Sequence, residues 1–195
     1  MDKKKPPLVS IGMPVYNGAR YIDATLSSLV KQTVTDLHIT ICDDGSTDDT
    51  MAICRRYASN DRRISLSRNS QRLGGAKNFN QTFLQSAGQY FMWAAQDDLF
   101  HPTYIQRCLA KLEQSPRAVM ALSEIVLIDE TGNKVQSARP IDGINIDTAG
   151  MNVVERLREV FRRTGWWAIY GLIRPEILRK TQLYRSEFAG DVLLI

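Results

Sequence analysis

The sequence predicts an α/β protein with a mostly parallel, twisted sheet and helices on both faces. Over the first two thirds of the 195 residues, short apolar runs suited to strands alternate with runs of helical periodicity. Strands that alternate with helices in this way form βαβ units, in which the sheet is parallel and covered on both sides. Ligands in such sheets bind at the carboxyl ends of the strands, so the loops after the first, second and fourth strands are the candidate site.

Each element follows from its local pattern. The parallel strands are predicted at residues 8–16, 37–42, 64–67 and 90–95, and helices at 19–32, 49–58, 75–87 and 103–114. Ser46 or Thr47 is the expected N-cap of the second helix. The rest is predicted as a long strand at 118–128, a hairpin-like turn at 129–133, an amphipathic helix at 152–163, an apolar strand at 167–173 and a short helix opened by Pro175.

Composition excludes several classes of protein. Hydrophobic residues make up 44% and charged residues 24%, which is typical of a globular domain and not of a disordered chain, collagen or coiled coil. No apolar run approaches the roughly 20 residues of a membrane-spanning helix, and the N-terminus lacks a signal-peptide core. Cys42, Cys54 and Cys108 lack metal-ligand spacing and are expected to be reduced thiols. We therefore expect a single cytoplasmic domain over residues 1–195.

The net charge of +4 is concentrated in residues 151–185, where eight Lys and Arg face three Glu. Such a cluster indicates contact with phosphates or with an anionic membrane surface. The alternative is a solvated helix face carrying ordinary Glu–Arg pairs.

Two acidic doublets follow buried strands. Asp43-Asp44 closes the second strand and Asp97-Asp98 closes the fourth. Carboxylates in such positions stay ionised when hydrogen-bond donors or a divalent cation answer their charge. Mg²⁺ and Mn²⁺ usually bind through one or two carboxylates plus substrate phosphates, which fits one such doublet beside a phosphate site. Helix capping and turn formation are the alternative roles.

A glycine-containing stretch at residues 69–78 is expected at the same edge of the sheet. Gly74 and Gly75 precede a helix, whose N-terminus favours anions, and Arg72 and Lys77 add positive charge suited to a diphosphate. A plain loop with a glycine turn is the alternative, because the stretch matches neither the Walker pattern nor the dinucleotide fingerprint.

Taken together, these motifs resemble family 2 glycosyltransferases, which have the GT-A fold. The resemblance rests on segments in the family's order and spacing, at residues 9–17, 41–48, 74–78, 88–90, 96–98 and 190–194. It implies that a nucleotide-sugar donor is bound by Pro14, Val15, Tyr16, Asn17, Asp43, Asp44, Arg72, Gly74, Lys77, Asn78, Gln96 and Asp97. The sequence departs from the family at Lys77, where Arg is frequent, and at Gln96, which stands at the first position of the DxD-type motif.

The resemblance also implies the remaining roles. Asp98 would hold Mn²⁺ or Mg²⁺, and Asp191 would be the catalytic base, with Glu187 as its rival. Independently of the resemblance, Trp166 and Trp167 are acceptor candidates because aromatic faces stack on sugar rings, although a buried core pair is the commoner use of such residues. Because Asp191 opens a helix that the sequence cuts short, we expect a C-terminally truncated domain.

The expected activity is inverting transfer of a sugar, with UDP as the expected nucleotide, to a carbohydrate or lipid-linked acceptor hydroxyl in cell-envelope polysaccharide or glycoconjugate synthesis. Peripheral membrane contact would use the basic segment 151–185, and no nucleic-acid partner is expected. The alternatives are a non-catalytic nucleotide-sugar-binding module and a nucleotidyltransferase. The latter would be expected to carry a glycine- and basic-rich loop after the first strand, where this chain has Pro14-Val15-Tyr16-Asn17-Gly18.

Overall fold

A computed structural model describes residues 5–135, 150–152, 154–155 and 169–183. A six-stranded sheet in the order β3-β2-β1-β4-β6-β5 forms its centre. The strands are β1 (Val9–Val15), β2 (Leu37–Asp43), β3 (Ile64–Arg68), β4 (Tyr90–Trp93), β5 (Met120–Ala121) and β6 (Leu172–Ile173). The helices are α1 (Ile22–Val30), α2 (Thr50–Asn60), α3 (Gly75–Leu84), α4 (Tyr104–Gln114) and α5 (Pro175–Leu178).

The first four strands are parallel, as predicted. β1 pairs with β2 along its whole length, from Val9 opposite Leu37 to Val15 opposite Asp43, and also pairs with β4 on its other side. β6 runs antiparallel to both β4 and β5, so the complete sheet is mixed. The parallel register brings the carboxyl ends of β1, β2 and β4 to one edge.

Every residue of β1 is buried because helices cover both faces of the sheet. On one face, apolar residues of α1, α2 and α4 pack on the strands. On the other, α3 packs through an aromatic cluster that contains Phe83, Phe91 and Trp93. Gly12 permits the close approach of α3, since a Cβ there would lie 2.5 Å from the Thr82 hydroxyl oxygen.

Two local predictions were wrong. The long strand at 118–128 is reduced to Met120–Ala121, because its sheet neighbour β6 is only two residues long. Beyond it, Val126, Leu127 and Ile128 are exposed, and Ile128 forms an isolated bridge with Lys134. The turn that this bridge closes is confirmed, since the Gly132 N–H donates to the Asp129 carbonyl.

The second error concerns the N-cap of α2. Neither Ser46 nor Thr47 caps this helix; the Thr50 N–H instead donates to the Asp48 carboxylate at 3.0 Å. The Ser46 hydroxyl accepts a hydrogen bond from another loop, described below, and is therefore engaged elsewhere.

The three cysteines are buried and free. Burial raises the pKa of Cys54 to about 12 and that of Cys108 to about 11, and it also raises the pKa of Cys42. All three thiols are therefore protonated at neutral pH, which makes them poor nucleophiles. Within the described part of the chain, no helix has the length and apolar character needed to cross a membrane.

Several predicted features lie outside the described residues. They are most of the amphipathic helix at 152–163, the pair Trp166 and Trp167, and the two candidate bases Glu187 and Asp191.

Candidate active site

Four loops meet at the carboxyl edge of the sheet. We define them as the β1 loop (residues 16–21), the β2 loop (residues 44–49), the glycine loop (residues 69–74) and the β4 loop (residues 94–103). The predicted donor-binding residues lie in or beside these loops, and hydrogen bonds between the loops fix their positions.

The β1 loop is held by side chains of its neighbours. Its four successive backbone N–H groups, those of Tyr16, Asn17, Gly18 and Ala19, donate to Gln96, Ser46, Thr50 and Asp48, at 2.8–3.0 Å. The Asn17 carboxamide oxygen in turn accepts the Thr47 N–H at 2.8 Å. Hydrogen bonds therefore run in both directions between the β1 and β2 loops.

Gln96 has a role that the sequence did not reveal. Its side-chain oxygen accepts the Tyr16 N–H at 2.9 Å, and its side-chain nitrogen donates to the Tyr16 carbonyl at 3.1 Å. The family resemblance implies that Gln96 binds the nucleotide-sugar donor, whereas in the structure its side-chain amide binds the backbone of the β1 loop.

Asp43 is completely buried and supports the β2 loop. Its carboxylate accepts the N–H groups of Gly45 and Ser46 at 3.1–3.2 Å. The Arg68 guanidinium lies 3.3 Å from the same carboxylate and also donates to the Ser46 carbonyl. These donors answer the charge that burial would otherwise make costly.

Asp44, 3% exposed, holds the glycine loop. Its carboxylate accepts the Leu73 N–H at 2.7 Å, the Gly74 N–H at 2.9 Å and the Asn69 side-chain amide at 2.9 Å. Burial alone would raise the pKa of Asp44, but these hydrogen bonds and the nearby Arg72 charge outweigh burial and lower it.

Asn78 extends this network into the sheet. It is buried in the first turn of α3, where it donates to the Cys42 carbonyl and accepts from Asn69, both at 2.9 Å. The start of α3, the glycine loop and the end of β2 are thereby fixed to one another. Lys77, on the same turn, is exposed.

Tyr16, which is half-buried, and Arg72, which is exposed, contact each other at the site. The Arg72 guanidinium carbon lies 4.0 Å from the centre of the Tyr16 ring, a cation–π contact. Pro14 and Val15, by contrast, are buried at the end of β1, where they lie opposite Cys42 and Asp43 of β2.

Asp97 and Asp98 differ from the first doublet. Both are exposed, and no hydrogen bond or ion pair to either side chain occurs among the described residues. Desolvation by the protein around Asp98, and secondarily the charge of Asp97, raise the pKa of Asp98 above its ordinary value. No cluster of three His, Cys, Asp or Glu forms within the ranges described above. Two adjacent free carboxylates nevertheless suit a hard divalent cation that completes its coordination with phosphate oxygens and water.

The sequence did not predict the roles of five residues that shape the site: Thr25, Ser46, Asp48, Thr50 and Asn69. The run of Asp, Ser and Thr after β2 was a usable signal, because such side chains accept backbone hydrogen bonds in turns. Their partners lie up to 71 residues away, so the sequence did not indicate which groups they bind.

The chain belongs to glycosyl transferase family 2, whose sequence model matches residues 10–172. It is 33% identical over 135 residues to the chondroitin synthase of Escherichia coli, covering 69% of this chain and 19% of that protein. It is 38% identical over 104 residues to the hyaluronan synthase of Pasteurella multocida, covering 53% of this chain and 10% of that protein. The chain thus spans less than half the length of these relatives.

Solved structures confirm the predicted GT-A fold. S. aureus TarS in complex with UDP-GlcNAc matches 95% of this chain and 51% of its own, with a TM-score of 0.74 and 20% identity. The mannosyltransferase PcManGT from Pyrobaculum calidifontis, in complex with GDP-Man and Mn²⁺, matches 96% of this chain and 50% of its own, with a TM-score of 0.67 and 18% identity.

The role of Asp44 predicts a stability effect. Its carboxyl pKa is lower in the folded state than the unfolded value of about 3.9, so its stabilising contribution is complete above that value and is lost as the pH falls through the folded pKa. Asp44→Asn places an amide against N–H donors and should lower the free energy of unfolding by about 1–3 kcal/mol at pH 7. Urea denaturation at pH 7 and at about pH 3.5 should show the difference from wild type shrinking in acid.

Asp49→Asn is the matched control. Asp49 is exposed and makes no side-chain capping bond to α2, so the same charge change there should alter stability little. Equal losses in the two variants, or a difference for Asp44→Asn that does not change with pH, would contradict the role assigned to Asp44.

Proposed function

We propose that this chain binds a nucleoside-diphosphate sugar, with a UDP-sugar as the expected donor, and transfers the sugar to an acceptor hydroxyl with inversion. The observation that carries the proposal is the contrast between the acidic doublets. Asp43 and Asp44 accept hydrogen bonds within the protein, whereas Asp97 and Asp98 are exposed and have no hydrogen-bond or ion-pair partner among the described residues. Gln96, the residue before them, binds the backbone of Tyr16, and the Arg72 guanidinium lies over the Tyr16 ring. One end of the site thus suits a nucleoside and the other a cation-bound diphosphate.

The nucleoside end uses the aromatic ring of Tyr16. A flat base gains stacking energy on an aromatic ring, and the half-buried side chain of Tyr16 offers such a ring. One carboxylate oxygen of Asp44 accepts a single hydrogen bond, so it retains a lone pair for a base N–H.

The diphosphate end uses positive charge and open backbone. Arg72 and Lys77 are exposed at the glycine loop and the first turn of α3, where the helix N-terminus favours anions. Apart from their own chain neighbours and the backbone of α3, no described atom lies within 4 Å of a Cβ built at Gly74 or Gly75, which leaves room for phosphate oxygens to approach this turn.

A divalent cation, Mn²⁺ or Mg²⁺, would be held by Asp98 with Asp97 beside it. When bound, it would offset the negative charge that develops on the departing nucleoside diphosphate. PcManGT, a structural neighbour of this chain, was solved with GDP-Man and Mn²⁺, which supports the proposal. The acceptor hydroxyl proton would pass to a carboxylate, for which Asp191 is the candidate and Glu187 the rival.

For the acceptor we propose a growing polysaccharide or glycoconjugate, because relatives of this chain include chondroitin and hyaluronan synthases. Trp166 and Trp167 are candidates for stacking on an acceptor sugar. The basic segment 151–185 is a candidate for contact with a lipid phosphate or an anionic membrane surface. A nucleotidyltransferase is disfavoured, since the N–H groups of the β1 loop are bound to side chains and unavailable to cradle a phosphate.

The metal proposal predicts that UDP binds more tightly when Mn²⁺ is present. Calorimetric titration of UDP should give a lower Kd with Mn²⁺ than without, and Asp98→Ala should abolish that difference while leaving the metal-free Kd within about twofold of wild type. Asp36→Ala, at the opposite edge of the sheet, removes the same charge and should keep the metal effect. Metal-independent UDP binding by the wild type would overturn the proposal.

The base proposal predicts a separation of binding from transfer. Asp191→Asn removes a proton acceptor but keeps its shape, so donor affinity should stay near wild type while sugar transfer falls at least about a hundredfold. Transfer should be assayed with a protein that includes any chain beyond Ile195, with Glu187→Gln in parallel. If Glu187→Gln abolishes transfer and Asp191→Asn does not, the base is Glu187; if both variants transfer at the wild-type rate, both assignments are wrong.

A further inference from the structure

The two ends of the proposed site are joined through one side chain. Gln96 directly precedes Asp97 and Asp98, and its carboxamide binds both polar groups of the Tyr16 backbone, 80 positions earlier in the chain. A reciprocal pair of this kind fixes the position and the rotation of the Tyr16 residue, because either hydrogen bond alone would leave one free axis.

Gln96 is itself held rigidly. Its backbone carbonyl accepts the Thr25 hydroxyl of α1 at 2.9 Å, and Thr25 is fully buried. Its carboxamide also packs against Gly18, where a Cβ would lie 2.5 Å from the side-chain carbon and oxygen of Gln96. The β1 loop, α1 and the β4 loop therefore meet at this residue.

We propose that Gln96 is a positioning residue that couples the nucleoside end of the site to the diphosphate end. This inference rests on the proposed nucleotide-binding function. Gln96 directs one N–H donor and one acceptor lone pair to the Tyr16 backbone, and it sets the position of Tyr16 relative to Asp97 and Asp98. It thus acts on the nucleoside through Tyr16 and needs no contact of its own with the donor sugar.

The test compares uridine, which reaches only the nucleoside end of the site, with UDP, which reaches both ends. Gln96→Met keeps the length of the side chain and removes its hydrogen bonds. It should weaken binding of uridine, which has no phosphate and needs no metal, by about tenfold, and it should weaken binding of UDP with Mn²⁺ by a similar factor. Gln89→Met is the matched control, because Gln89 is exposed at the opposite edge of the sheet and should leave both affinities unchanged.

A double-mutant cycle with Tyr16→Ala then separates positioning from direct contact. If Gln96 acts through Tyr16, adding Gln96→Met to Tyr16→Ala should cost little further uridine affinity. A loss confined to UDP, with uridine binding unchanged, or a tenfold loss that persists in the Tyr16→Ala background, would overturn the inference. A wild-type protein that binds neither UDP nor uridine would contradict the proposed function itself, and the coupling inference would fall with it.

Gly18→Ala perturbs the same contact without altering Gln96, so it serves as a second variant if Gln96→Met does not fold. The added methyl group should displace the Gln96 carboxamide and lower uridine affinity several-fold. In a Gln96→Ala background the shorter side chain leaves room for the methyl group, so Gly18→Ala should cause no further loss of uridine affinity. Full uridine affinity in folded Gly18→Ala would count against the coupling.

Discussion

Beyond the end of β1, the backbone N–H groups of residues 16–19 lie past the neighbouring strands, whose carbonyl groups would otherwise accept their hydrogen bonds. Buried N–H groups need acceptors, and the Gly18 N–H lies in a buried hydrogen bond to Thr50, whose loss would cost about 1–3 kcal/mol. Side chains of the β2 and β4 loops supply all four acceptors. The positions of Tyr16, of the β2 loop and of Gln96 all follow from this requirement.

The need of buried N–H groups for acceptors also divides the four carboxylates of the two acidic doublets into two roles. Asp43 and Asp44 are buried and use their charge to hold the β2 loop and the glycine loop, so these loops are positioned before any ligand arrives. Asp97 and Asp98 remain exposed at the end of the shorter strand β4. Preorganised sites of this kind avoid the free-energy cost of ordering loops when the ligand binds.

The sequence predicted the parallel strands, the helices between them and the edge at which the candidate residues gather. The residue pattern alone did not distinguish the roles of the two acidic doublets, because both are Asp-Asp after a buried strand, and only the family resemblance assigned the cation to Asp98. The difference arises from distant residues, since Leu73 and Gly74 come to Asp44 from about thirty positions downstream. The strand predicted at 118–128 failed for a similar reason: its length depends on β6, some fifty residues away. The role of Gln96 could not be predicted because its side chain binds the backbone of Tyr16, and backbone groups are the same whatever the residue type.

The hydrogen bonds of the β1 loop imply that its neighbours fix it before a nucleotide binds. Amide hydrogen exchange of the ligand-free protein, followed by NMR at Tyr16, Asn17, Gly18 and Ala19, measures this directly. We expect all four amides to exchange at least about tenfold more slowly than in an unstructured peptide of the same sequence, although they lie outside any strand or helix. Exchange of these four amides at the rate of the unstructured peptide would contradict it.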